Sequence, residues 1–170
     1  MMKKTFFALF SLMTLVMASC AISYKFNGSS IDYTKIKTIS IVDFPNQAAL
    51  VYPPLATNFN EALKDEYSSK TRLVFVPQNG DLQISGEIVG YNLSPMAVSS
   101  SGESMRTKLE ITVNVRFVNT KNPTEDFEER FSAYQEFSNE QTIDQVQEEL
   151  NEQIIKELIS LIFNRTVANW

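Results

Sequence analysis

From Lys108 to Phe117 apolar and polar residues alternate without a break. Leu109, Ile111, Val113, Val115 and Phe117 share one parity, and Lys108, Glu110, Thr112, Asn114 and Arg116 share the other. Neighbouring side chains of a strand point to opposite faces, so the pattern predicts a strand with one buried and one wet face. A different spacing follows Thr142. Ile143, Val146, Leu150, Ile154, Leu158 and Ile162 recur at helical intervals, and Thr142 with Gln145 makes a capping box at the start. Leu55, Phe59, Ala62 and Leu63 repeat the helical spacing behind Pro53-Pro54, residues tolerated in a first turn.

Shorter strand patterns fill the remainder. Lys35 to Phe44 is β-branched and stopped by Pro45, and Arg72 to Val76 is stopped by Pro77. Asn79-Gly80 marks a tight turn into a long strand from Asp81 to Leu93, where Gly86 and Gly90 predict a bulge or a close backbone approach. Pro95 and Ser99 to Ser104 read as a mobile loop, and Asp126 to Phe137 as a further strand. The order predicts an α+β fold, a mostly antiparallel sheet of four to five strands with two helices packed on one face.

The N-terminus follows another logic. Lys3-Lys4 precede an uncharged apolar run from Phe6 to Met17, closed by Ala18-Ser19-Cys20. This is the layout of a secretory signal. About 12 residues of helix cover about 18 Å, short of a hydrocarbon core of about 30 Å. Val16-Met17-Ala18-Ser19-Cys20 resembles a bacterial lipobox, with Met17 where leucine is commonest. The resemblance implies cleavage before Cys20, the only cysteine, and acylation of its thiol. Residues 1–19 are then a signal peptide, and residues 20–170 a single lipid-anchored periplasmic domain of 170 − 19 = 151 residues. The short segment after Cys20 holds that domain close to its membrane. Neither Asp beside the cysteine nor an acidic cluster follows, which points to the periplasmic side of an outer membrane.

Charge narrows the partners. Without Lys3 and Lys4 the formal charge moves from −5 to −7. Residues 20–121 carry ten bases and nine acids, and residues 122–170 three bases and eleven acids. An acidic chain without a basic run argues against nucleic acid. The acidic third is interleaved with Phe, Tyr, Ile and Leu, so it reads as the solvated side of folded elements.

The chemistry of catalysis is thin. The chain has no histidine, which removes the usual general base and the commonest metal ligand. No Gly-x-Ser-x-Gly elbow and no phosphate-binding glycine loop occurs. Asp65-Glu66, Asp81 with Glu87, and Glu128-Glu129 are pairs that read more simply as helix or strand surface, and Asp43 as an exposed strand end. No catalytic residue, metal ligand or cofactor is expected. For binding, Arg106, Lys108 and Arg116 share the wet parity of the long strand and are the candidate residues for phosphate or a lipid headgroup, since the cations two apart, Arg106 and Lys108, suit phosphate oxygens. The rival is an ordinary charged face with Glu110 neutralising its neighbours. The apolar C-terminal run from Ile162 to Trp170 reads as docked core.

Taken in order, several segments resemble one family. These are Tyr24-Lys25-Phe26-Asn27-Gly28, Asp43-Phe44-Pro45-Asn46, Leu50-Val51-Tyr52-Pro53-Pro54, Arg72-Leu73-Val74, and Gly80 to Ile88, followed by the alternating strand and terminal helix. The chain resembles the LptE family of lipopolysaccharide-assembly lipoproteins, in the form found in Bacteroidetes-like bacteria. The resemblance implies a non-enzymatic plug within the lumen of a large outer-membrane β-barrel, LptD, that assists barrel assembly and lipopolysaccharide delivery to the outer leaflet. The alternative is an accessory lipoprotein of another envelope complex, barrel assembly or a secretin pilot, with a protein partner and no glycolipid.

Overall fold

The structure is a computed structural model and describes residues 31–50, 52–96 and 106–168. The expected signal segment, Cys20 and the loop expected over Ser99 to Ser104 lie outside the described residues. The elements are β1 (Thr38–Ile41), α1 (Leu55–Lys70), β2 (Val74–Phe75), β3 (Leu82–Pro95), β4 (Arg106–Asn119), a 3-10 turn (Pro123–Glu125), β5 (Phe127–Ser138) and α2 (Ile143–Thr166). They form an α+β domain, a five-stranded open sheet in the order β2-β1-β3-β4-β5 with two helices.

The sheet is mixed, which corrects the expectation of a mostly antiparallel one. β3, β4 and β5 are antiparallel, while β1 runs parallel to both β2 and β3. The physical reason is connection length. The turn of α1 between β1 and β2 is long enough for the crossover that parallel neighbours require. The segment after β2 then crosses β1 to start β3 on its other side, and Gly80 sits directly on the β1 backbone. A Cβ there would lie 2.5 Å from Ser40 N and 2.7 Å from Ile39 C. Asn79 beside it takes φ 56°, the left-handed region that asparagine tolerates.

β1 is shorter than the apolar run predicts because side chains claim its flanking backbone. The Asp81 carboxylate accepts the N–H groups of Lys37 at 2.9 Å and Thr38 at 3.1 Å. Beyond the strand, buried Asn60 of α1 accepts the Phe44 N–H at 2.8 Å and donates to the Phe44 carbonyl at 3.1 Å. One side-chain amide thus replaces a strand neighbour.

Asp81 also pairs with Lys121 at 2.9 Å, and that contact, with the two N–H donors, holds its carboxyl well below the usual carboxylate range. A lowered folded pKa adds stability above the unfolded value of about 3.9 and loses it as pH falls towards the folded value. Asp81→Asn is therefore expected to cost about 1–2 kcal/mol at neutral pH. In thermal melts the gap from wild type should hold down to about pH 5 and narrow below about pH 4. A gap independent of pH would show that the charge contributes nothing.

The buried layer follows the alternation. Leu109, Ile111, Val113 and Val115 are fully buried and Phe117 nearly so. Each contributes about 1.5–3 kcal/mol relative to exposure. The pairing of β3 with β4 shifts register between Ile88 and Gly90. That bulge moves the inward parity from Leu82, Ile84 and Ile88 to Tyr91, so both halves of β3 bury their large side chains. Leu55, Phe59, Leu63 and Tyr67 of α1 meet Leu150, Ile154, Leu158 and Ile162 of α2 in the same core. The expected capping box opens α2, and the two C-terminal halves touch where Tyr67 stacks edge-on against Phe163 at 5.1 Å. Val167 and Ala168 are buried, as the docked-core reading expects, and Asn169 and Trp170 lie outside the described residues.

Candidate functional site

Among the described residues, the side of the sheet away from the helices carries a broad polar surface. β4 supplies Arg106, Lys108, Glu110, Thr112, Asn114 and Arg116. Directly opposite on β5 stand Ser138, Glu136, Tyr134, Ser132, Arg130 and Glu128. On β3 the partners of Lys108 to Arg116 are Ser94, Asn92, Gly90, Glu87 and Ser85. The acids are Glu87, Glu110, Glu128 and Glu136, and the bases are Arg106, Lys108, Arg116 and Arg130, so four charges of each sign balance.

Short-range partners tile this surface. Arg106 meets Glu136 at 3.3 Å, and Lys108 meets Glu110 at 3.2 Å while its ammonium sits 5.2 Å from the Tyr134 ring centre. The Thr112 and Ser132 hydroxyls are 2.9 Å apart. Arg130 Nε donates to Asn114 Oδ1 at 3.1 Å, and Asn114 Nδ2 donates to Glu87 at 3.4 Å. Such exposed pairs add little stability, at most about 1 kcal/mol each. They do hold the side chains in a hydrogen-bonding array.

Arg106 and Lys108 are adjacent, as their spacing predicts, yet each faces its own carboxylate. Arg116 lies ten positions along β4 from Arg106, about 33 Å at strand rise. The three cations therefore form two separate positions rather than one cluster. Arg116 is exposed and has no ion pair among the described residues. Arg130 is its diagonal neighbour across the β4–β5 ladder, a separation of about 7–8 Å. Sequence reading missed Arg130. Its even parity with Glu128, Ser132 and Tyr134 was visible, but the register that sets it beside Arg116 was not.

The carboxylate pairs take structural places. Asp81 clasps β1, Glu66 pairs with Lys70, and Glu129 points to the helix side, where it meets Arg165 at 3.0 Å. Glu128 points to the opposite face. Asp43 is exposed and pairs with Lys64. Among the described residues no group of His, Cys, Asp and Glu is placed to hold a metal ion. No described helix is long and apolar enough to cross a membrane. The negative excess sits on the helix layer instead. A groove of about 520 Å³ between α1 and α2 is walled by Glu61, Asp65, Glu66, Glu148 and Glu152, with Lys70 and Lys156 among them.

The family model LptE, described as lipopolysaccharide-assembly, matches residues 36–166. No curated protein matches the chain in sequence. Among solved structures, a minor lipoprotein from Acinetobacter baumannii is similar with TM-score 0.50 and 14% identity, over 76% of this chain and 91% of that one. A hypothetical protein from Chlamydia trachomatis is similar with TM-score 0.52 and 10% identity, over 79% of this chain and 99% of that one. At these identities the likeness concerns the fold alone.

Proposed function

The chain belongs to the LptE family of lipopolysaccharide-assembly proteins, and from that premise we propose a non-enzymatic outer-membrane lipoprotein that plugs an LptD-like β-barrel. Acyl chains on Cys20 anchor it on the periplasmic side, and the folded body occupies the lumen. The observation that carries this reading is the outer face of β3, β4 and β5. A large barrel has a polar interior, so a plug must offer hydrogen-bonding groups and balanced charge over a broad surface. Four acids and four bases set among Ser, Thr and Asn meet that demand. The helix layer suits it less, because five carboxylates against two lysines in its groove would repel a phosphorylated glycolipid.

Delivery of lipopolysaccharide past the plug uses the same face. Arg106 with Lys108 at one end and Arg116 with Arg130 at the other can each exchange a carboxylate or water for a phosphate oxygen. Arginine offers its planar fork to such oxygens. A Lys108→Glu, Arg116→Glu double variant is expected to bind lipopolysaccharide about tenfold more weakly, at nearly unchanged thermal stability. Unchanged binding would remove the glycolipid contact from this face.

Recovery from outer membranes tests the partner. Mild-detergent capture of the tagged full chain is expected to bring down one large barrel protein in near-equal amount. Recovery with a different assembly complex, or with no barrel, would overturn the plug and favour an accessory role elsewhere in the envelope.

A further inference from the structure

The two edges of the sheet are built differently. β2 is two residues long and Pro77 follows one residue past its end, two ordinary devices that blunt an edge. β5 closes the other side with 12 residues, Phe127–Ser138, and contains neither proline nor glycine. Its register with β4 runs without a shift from Arg106↔Ser138 to Phe117↔Phe127, so no bulge turns it away. Among the described residues no strand pairs with its outer side. A straight strand of this length presents a row of backbone donors and acceptors that a further strand can satisfy.

We propose that the outer edge of β5 pairs antiparallel with β5 of a second copy of this chain, joining two sheets into one of ten strands. The charges on β5 select this occupant. In a two-fold arrangement centred on Ala133, residue pairs across the join sum to a constant, and Arg130 of each copy stands opposite Glu136 of the other. Glu128 then meets Ser138, Ser132 meets Tyr134, and Phe131 meets Gln135. No like charges stand directly opposite. Centring on Ser132 instead would set Glu128 against Glu136 twice, and centring on Tyr134 would leave Arg130 and Glu136 without each other. Opposite charges directly across an antiparallel join favour a register, and like charges disfavour it.

Among the described residues, exposed Arg130 is bound only to Asn114, and Tyr134 is 49% exposed. Glu136 meets Arg106 of its own chain at 3.3 Å, an exposed pair that it would share with Arg130 of the second copy. Glu129, which could otherwise repel a neighbour, is turned to the helix side and held by Arg165. Pairing over Glu128 to Ser138 would form about ten backbone hydrogen bonds, since each closely spaced antiparallel pair contributes two. This pairing concerns the free chain and is independent of the plug reading, which stands or falls on barrel recovery.

The test is sedimentation equilibrium of the full chain in density-matched detergent. Wild type is expected to dimerise, while Arg130→Glu alone and Glu136→Arg alone each set like charges opposite each other twice and should weaken the dimer about tenfold or more. An equimolar mixture of the two variants restores both opposite-charge pairs and should form the mixed dimer with near wild-type affinity. Hydrogen exchange of wild type gives a second reading that needs no variant. Amides on the outer side of β5 should exchange faster on dilution, and those of β3 should not. A wild-type monomer at all concentrations, single variants as tight as wild type, or a mixture no tighter than either variant would overturn the proposal.

Discussion

Phe44→Ala is expected to lower the unfolding free energy by about 3–5 kcal/mol. Phe44 is fully buried one turn of chain beyond β1, with its ring 5.2 Å from that of Phe59. The site cannot easily close over the space left behind. Its backbone is pinned on both sides by the Asn60 amide, and Gly86 of β3 supplies no side chain that could lean in. A cavity lined by a fixed backbone and a glycine keeps most of its cost, which is the circumstance that puts large-to-small changes at the upper end of their range. Chemical denaturation of the full chain would measure it. A loss below about 1 kcal/mol would mean that α1 slides in to fill the gap and that the Asn60 clasp is weak.

Gly86→Ala approaches the same contact from the other side. A Cβ at this position would overlap the Asn114 carbonyl of β4 and the Phe44 ring, whose Cζ would be 2.9 Å away. The ring could tilt, but the carbonyl belongs to β4, which is paired with a strand on both sides. The strand must separate locally or the ring must leave. The expected cost is about 3 kcal/mol, the top of the usual overpacking range. Pairing the change with Phe44→Leu discriminates the two contacts. If the ring is the main obstacle, the double variant should lose clearly less than the sum of the singles. If the Asn114 carbonyl dominates, the losses should add.

Both residues stood in plain view in the sequence, yet with different legibility. Gly86 was readable as a place of close approach, because glycine within a strand weakens it unless something needs the room. What needs the room is Phe44, some forty residues earlier, and no local pattern announces that. Arg116 and Arg130 repeat the lesson at the candidate site. Parity along each strand was readable from alternation, whereas their diagonal meeting depends on the β4–β5 register. Asp81 is a further case. As a carboxylate near Glu87 it invited a chemical reading, and its actual work is to hold the N–H groups of Lys37 and Thr38.

By itself the sequence determined the local periods: the buried face of β4, the capped amphipathic α2, the proline-led α1 and the bulge near Gly90. Each arises from neighbours within a few residues, where a period of two or of 3.6 leaves little choice about which side faces the core. It also carried the family resemblance, through the order of segments along nearly the whole chain. Only the tertiary structure decided that β1 lies parallel between β2 and β3, that the cations fall into two positions, and that no described strand pairs with the outer side of β5. Those features depend on which distant segments compete for the same backbone partners, and that competition is settled by packing across the whole sheet.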